Sequence, residues 1–270
     1  MPNRIVTFET SPGVRKFIKF GTGSYKHVVV PGTRDPLPWD VFLTMEEVYQ
    51  MLEPGEKVAF VIRHSERGPS GIDEELTANG RRYALEIGGP QLAGGLAGPD
   101  DMALYSSEKQ RCIDTATLIG QGSGRTLPAP TTIEYISHCP YKITEPSTGW
   151  EDYSLFAYDL PSIHGGEFRD KATTTAQILE VVQSRMNKTI NLFVTHDQLL
   201  EIFVVDMCQK QIALRFWEGA VNDGISEWRW ITYMAGLAII KHVDGTYEWG
   251  PVRTLSRGFQ RGYNNIYQWD

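Results

Sequence analysis

The chain has 270 residues, 41% of them hydrophobic and 22% charged, which suffices for one large α/β core or at most two small ones. Its 26 Lys and Arg against 33 Asp and Glu leave a net charge of -7. That acidic balance argues against broad binding to nucleic acid or to an anionic membrane, and confines any positive charge to a pocket.

No stretch approaches the roughly 20 apolar residues of a membrane helix. Three cysteines, Cys112, Cys139 and Cys208, lack metal-ligand spacing and argue against a disulfide framework. Together with the absence of an apolar leader in Met1-Pro2-Asn3-Arg4-Ile5-Val6, they favour a reducing compartment, the cytoplasm, as an expectation.

In chain order, residues 1–40 are punctuated by Gly21, Gly23, Pro31, Gly32, Pro36 and Pro38. They read as an extension packed on the edge of a domain spanning residues 41–270, with a short strand at Val28-Val29-Val30. Leu43 to Leu52 has helical apolar spacing and is stopped by Pro54-Gly55.

Val58-Ala59-Phe60-Val61-Ile62 is a run for a strand buried on both faces, and it ends abruptly in Arg63-His64. In open parallel α/β sheets the C-terminal ends of strands are where ligands bind. Arg63 and Arg67 beside one imidazole call for an anionic ligand, and they oppose protonation of His64. A neutral imidazole is a nucleophile.

A helix is expected to start near Thr77 as N-cap. Met102 to Tyr105 reads as a strand, followed by a helix in which Ser107 and Gln110 form a capping box, placing Arg111 near the helix start where an anion is welcome. Alone, Arg111 reads first as a surface residue of an amphipathic helix.

Residues 121–170 are rich in Gly, Pro, Ser and Thr and read as loops with a short strand at Thr131 to Ile136. Glu134, Glu145 and Glu151 lie there, as do His138 and His164, which are assigned to turns or the rim of a pocket. No metal is expected, because no second histidine sits at ligand spacing.

Thr175 to Met186 has the spacing of a crossover helix, and Ile190 to Val194 that of a second buried strand, ending in Thr195-His196-Asp197. Taken alone, His196 reads equally as a core histidine and Asp197 as the N-cap of the apolar helix Gln198 to Cys208. The repeated pattern of strand followed by histidine can bring both imidazoles over one pocket. The segment Trp230 to Arg253 reads as a hairpin turning at Asp244-Gly245, with its antiparallel strands at the sheet edge. The aromatic tail, Tyr263 to Asp270, reads as a cover for the core.

Three of these places carry a resemblance. Arg63-His64-Ser65-Glu66-Arg67-Gly68-Pro69 resembles the Arg-His-Gly-x-Arg-x-Pro motif of the histidine phosphatase superfamily, in the branch of histidine acid phosphatases and phytases, with Ser65 where the family has Gly. Ser106 to Ala116 is similar to the family's Ser-x-x-x-x-Arg-x-x-x-Thr-Ala element, and His196-Asp197 to its His-Asp pair. Leu76-Thr77-Ala78-Asn79-Gly80 resembles the segment that follows the first motif. The likeness runs from about Lys57 to about Cys208.

The resemblance implies an α/β domain, phosphoglycerate mutase-like, with a central mostly parallel mixed sheet flanked by helices. It also implies a phosphomonoester hydrolase of acidic pH optimum, acting on a small-molecule phosphate ester with neither cofactor nor metal. His64 would be the nucleophile, Asp197 the proton donor, and Arg63, Arg67, Arg111 and His196 the phosphoryl ligands. Glu134 is the alternative donor, by likeness to the phosphoglycerate mutase branch. A phosphomutase and a non-catalytic module binding phosphorylated ligands are the other readings, the latter drawing on Ser65. The substrate ester and the oligomeric state are not specified by the sequence.

Overall fold

A computed structural model describes residues 4–11, 14–20, 43–68, 75–94, 97–98, 100–136, 157, 166, 168–208, 231 and 233–253. Its frame is a nine-stranded mixed sheet. The strands are β1 (Arg4–Ser11), β2 (Val14–Phe20), β3 (Leu43–Thr44), β4 (Lys57–Arg63), β5 (Met102–Ser106), β6 (Thr131–Thr132), β7 (Ile190–Thr195), β8 (Gly236–Lys241) and β9 (Tyr247–Arg253). They lie in the order β1-β2-β9-β8-β4-β7-β5-β6, with β3 pairing β9 off that path.

The centre is parallel where the site will form. β7 is bonded between β4 and β5, with Arg63 opposite Thr195 and Ser106 opposite Val194. Parallel neighbours need crossover connections, and helices supply them: α3 (Gln110–Gly122) after β5 and α4 (Lys171–Gln183) before β7, while α5 (Asp197–Cys208) follows β7 directly. Two short helices, α1 (Met45–Gln50) and α2 (Ala78–Tyr83), complete the set named here.

Strand side chains alternate between the two faces, and each face is a core. Ala59, Val61 and Phe193 pack with Ile178, Val182, Leu200, Phe203 and Val204 of α4 and α5. Val58, Phe60, Ile62, Leu192 and Val194 pack with Val48 of α1, Tyr83 of α2, and Cys112, Ala116 and Ile119 of α3. Coverage on both sides explains why β4 and β7 are apolar at nearly every position. Between the strand ends the polar exception is Asn191, buried but satisfied: its amide donates to Val58 O at 3.1 Å and Lys188 O at 2.6 Å.

Several boundaries match the spacing of the sequence. Thr77 is the N-cap of α2, accepting from Gly80 N at 2.9 Å. α1 carries a capping box between Thr44 and Glu47. Others need correction. α3 starts at Gln110 with Lys109 as N-cap and no side-chain cap, so Ser107 and Gln110 form no capping box. The Ser107 hydroxyl bonds His196 at 2.8 Å and accepts from Lys109 N at 3.3 Å. The strand expected over Thr131 to Ile136 is two residues long and, after a last ladder bond from Ile133 N to Ser106 O at 2.8 Å, turns into a 3-10 turn, Glu134–Ile136.

The hairpin also sits elsewhere than expected. β8 is in the middle of the sheet, antiparallel to both β4 and β9, and β9 bonds β2 on its far side. The reason is burial: Gly236 to Ile240 is buried throughout, which an edge strand with one wet side would not need. Val28-Val29-Val30, His138, Cys139, Glu145, Glu151, His164 and the aromatic tail lie outside the described residues. Among the described residues, no helix is long and apolar enough to cross a membrane.

β8 approaches β4 closely at its first residue. A Cβ on Gly236 would stand 2.0 Å from Val61 O and 2.9 Å from Ile62 Cα, both backbone atoms. Gly236→Ala therefore forces the two strands apart and is expected to cost about 1–3 kcal/mol, as overpacking does. Urea unfolding of the variant against the parent checks it.

Candidate active site

Register alone brings the candidate residues to one sheet edge. Because Arg63 pairs with Thr195 and Ser106 with Val194, the residues that follow, His64, His196 and Ser107, leave three adjacent strands side by side. The backbone continues the ladder past the strand ends, with His64 N bonded to Thr195 O at 2.9 Å and Ser107 N to Val194 O at 3.0 Å. The two imidazoles stand edge to face, with 5.6 Å between ring centroids.

His64 is buried, and its Nδ1 lies 2.7 Å from the carbonyl oxygen of Ser65. A carbonyl only accepts, so Nδ1 carries the proton and Nε2 keeps its lone pair. Burial chiefly, then the charges of Arg63, His196 and Arg111, holds the ring well below the ordinary imidazole pKa, against the opposing pull of the Ser65 bond. The result is a neutral ring in a fixed tautomer.

Ser65 itself is buried and turned away from this ring. Its hydroxyl donates to Gly80 O at 2.8 Å, while its N–H is accepted by the Thr115 hydroxyl at 3.0 Å. The seryl hydroxyl, at the position where the resembled motif has Gly, is thus accommodated by the first turn of α2. Gly80 has a matching constraint, since a Cβ there would stand 2.1 Å from Glu66 O. Glu66 accepts from the Thr77 hydroxyl at 2.7 Å, and burial raises its pKa.

Arg63 is fully buried, at 0% exposure, and its guanidinium is held on several sides. Nη2 meets Asp197 Oδ2 at 2.7 Å, and Nη1 donates to Ile231 O at 2.6 Å. The Tyr233 ring centroid is 4.2 Å from its Cζ. Asp197, 21% exposed, is the first residue of α5, where a negative charge suits the helix dipole, and it also accepts from Gln198 N at 3.0 Å. His196 precedes it and takes the N-cap position, its carbonyl accepting from Leu200 N.

Both ring nitrogens of His196 are engaged. Arg111 Nη2 lies 3.2 Å from Nδ1, and a guanidinium can only donate. Nδ1 must therefore accept, leaving Nε2–H to donate to the Ser107 hydroxyl at 2.8 Å. Burial first, then Arg111, lowers the ring's pKa to about 3. Cys112 Sγ lies 3.7 Å from Nε2, and burial pushes its thiol up to about 12, so it stays protonated.

Of the residues singled out from the sequence, the structure gathers His64, Arg63, His196, Asp197 and Arg111. Arg67 is half-buried, bonded to Gly68 O at 3.3 Å, and no described contact joins it to His64. Glu134 is exposed in the 3-10 turn after β6, lining a cavity of about 560 Å³ with Arg169 and Arg185. No described contact joins Glu134 to either histidine. Among the described residues no His, Cys, Asp and Glu cluster could hold a metal.

Sequence reasoning missed two contributors. Ser107 reads in the sequence only as a helix cap, whereas its hydroxyl is the partner of His196. Tyr233 gave no signal, since its proximity to Arg63 and His64 (5.8 Å between rings) depends on where the chain re-enters the sheet.

No protein-family model matches the chain, and no curated protein does. Solved structures do. A phosphoglycerate mutase from Bacillus anthracis is 15% identical, covering 74% of this chain and 92% of its own, with a TM-score of 0.44. A phosphoserine phosphatase from Entamoeba histolytica, in complex with 3-phosphoglyceric acid, is 20% identical over 74% and 95%, at 0.44. A mycobacterial glucosyl-3-phosphoglycerate phosphatase is 13% identical over 74% and 96%, at 0.42. Likenesses of this size leave function to be argued from the site's own residues.

The two neutral histidines make stability depend on pH with a definite sign. In the unfolded chain an imidazole takes up its proton near pH 6.5, whereas both rings resist it when folded. Below about pH 6.5 the unfolded state binds more protons, so stability that is complete above that pH is lost as pH falls. Each ring contributes a slope of up to about 1.4 kcal/mol per pH unit. Unfolding free energies measured at neutral pH and near pH 5 should differ accordingly, and His64→Gln should reduce the difference.

Proposed function

We propose that the protein is a phosphomonoester hydrolase working through a phosphohistidine on His64. The observation that carries this reading is the state of that ring: neutral, with Nδ1–H fixed on Ser65 O, and flanked by Arg63, Arg111 and a second imidazole. A phosphoryl group carries negative charge on its equatorial oxygens, so a nucleophile inside a cationic, low-dielectric pocket fits phosphoryl transfer.

In the first step the Nε2 lone pair of His64 forms a bond to phosphorus in line with the departing alkoxide, and the P–O ester bond breaks. Asp197 gives its proton to that alkoxide. Water then attacks the phosphohistidine, freeing phosphate and returning the proton to Asp197. Arg63, Arg67, Arg111 and His196 are the proposed ligands of the phosphoryl oxygens. For His196 this requires a ring nitrogen to exchange Ser107 or Arg111 for phosphate.

An acidic optimum follows from the donor's surroundings. Arg63 at 2.7 Å from Asp197 favours the carboxylate form, so the protonated donor is populated in acid. The neutral state of His64 persists there because its own pKa is depressed. Nucleophile and donor can therefore be in their working forms together below neutrality.

Phosphate release from p-nitrophenyl phosphate by the wild type, and its loss by about 1,000-fold or more in His64→Ala, is the expected outcome, in line with removal of a covalent nucleophile. Trapping with a labelled ester should give an acid-labile, alkali-stable phosphoprotein absent from the variant. Binding of phosphate without turnover would instead mark a non-catalytic module. Isomerised ester without free phosphate would mark a phosphomutase.

The donor is separable from its alternative. On an ester with a poor leaving group, Asp197→Asn should lose about 100-fold or more in kcat while Glu134→Gln stays close to the parent, since general acid catalysis is worth that much. The reverse pattern moves the proton transfer to Glu134.

A further inference from the structure

The chain that enters β8 wraps the C-terminal end of β4. Arg63 N donates to Ala235 O at 2.9 Å, and Met234 N donates to Arg63 O at 3.1 Å. Ile231 O accepts from Nη1 of the same residue, and Tyr233 lies over its guanidinium. One short segment thus fixes both the backbone and the side chain of Arg63. Its path requires a non-glycine residue in the left-handed region: Met234 has φ 55. Such conformations persist where surrounding structure over-determines them, and they cluster at functional sites. Here the restraint is packing, for Met234 is buried with its Cε 2.3 Å from where a Cβ on Gly88 would stand.

An arginine buried at 0% exposure could be held by hydrogen bonds alone. A ring face 4.2 Å from Cζ adds an attraction that depends on the π electrons and restrains the plane of the fork. The orientation of that plane decides whether Nη2 reaches Asp197 Oδ2.

We propose that Tyr233 is a positioning residue for the reaction: its ring face holds the Arg63 guanidinium in the plane that aims Nη2 at Asp197, and so sets the pH at which Asp197 carries its proton. The inference rests on the proposed donor role of Asp197 for its kinetic consequence, but the positioning itself is a statement about the carboxyl group alone. Among the described residues, α5 and α3 with its approach carry further charged or titratable groups near Asp197. His196 precedes it, with Arg111 and Lys109 acting on that ring, and Cys112 lies within its field. None of these is attached to the segment bearing Tyr233.

The experiment follows the Asp197 carboxyl carbon by NMR through a pH titration in wild type, Tyr233→Phe, Tyr233→Met and a protein with pentafluorophenylalanine at position 233. Phe keeps the electron-rich face, Met keeps volume without it, and the fluorinated ring keeps shape while reversing the quadrupole. Weakening the Arg63 pair removes support from the carboxylate, so the midpoint should rise by about 0.5 to 1 unit for Met and the fluorinated ring. It should stay at the wild-type value for Phe. The fluorinated ring, isosteric with Phe, keeps the comparison open if Met does not fold.

In p-nitrophenyl phosphate turnover, the alkaline limb of the kcat profile should move upward by the same amount. Equal midpoints in all four proteins, or a shift in Phe as large as in Met, overturns the positioning role. A shifted midpoint with no turnover in wild type leaves the positioning standing and defeats the proposed hydrolase.

Discussion

The buried pair of Arg63 and Asp197 is the constraint on which the rest of the site depends. A guanidinium with no exposure to water is costly to bury unless its charge and its donors are met. Here Asp197 meets the charge at 2.7 Å, Ile231 O takes a second donor, and Tyr233 covers the face. Those three partners come from two distant parts of the chain, so the pair can form only when β7 and β8 lie on either side of β4. Fold and site are in this sense one condition.

From that pair the electrostatics of the pocket follow. Burial first, and then the fixed cation beside it, keeps His64 neutral, and burial with a second cation, Arg111, does the same to His196. Each ring also has a hydrogen bond that chooses its tautomer, to Ser65 O in one case and from Arg111 in the other. The site is therefore rich in positive charge while its two histidines contribute none, an arrangement suited to an oxyanion with a nucleophile beside it.

The resemblance to histidine phosphatases stands on short motifs, and the structure gives several of their residues a mechanical reason. Gly80 is needed because α2 runs against the backbone of Glu66, and Thr77 because it both caps that helix and donates to the Glu66 carboxylate. Thr115 accepts from Ser65 N, tying α3 to the loop that carries His64. Ser65 is the departure, and its hydroxyl is absorbed by α2 without touching the imidazole.

What the sequence determined by itself is what depends on neighbours along the chain. Apolar runs at Val58 to Ile62 and Ile190 to Val194 specify buried strands, because a strand covered on both faces has no polar side to display. Each ends where Arg63-His64 and His196-Asp197 begin, so the placement of those pairs at strand ends was legible too, as were Thr77 and the Asp244-Gly245 turn. Tertiary structure alone decided what depends on strand order. It put β8 at the centre of the sheet rather than its edge, turned Ser107 from a helix cap into the partner of His196, and brought Tyr233 over Arg63. Local spacing fixes which way a side chain can point, but which strand lies next to which is settled by burial of the whole sheet between two layers of helices, and no local pattern encodes that.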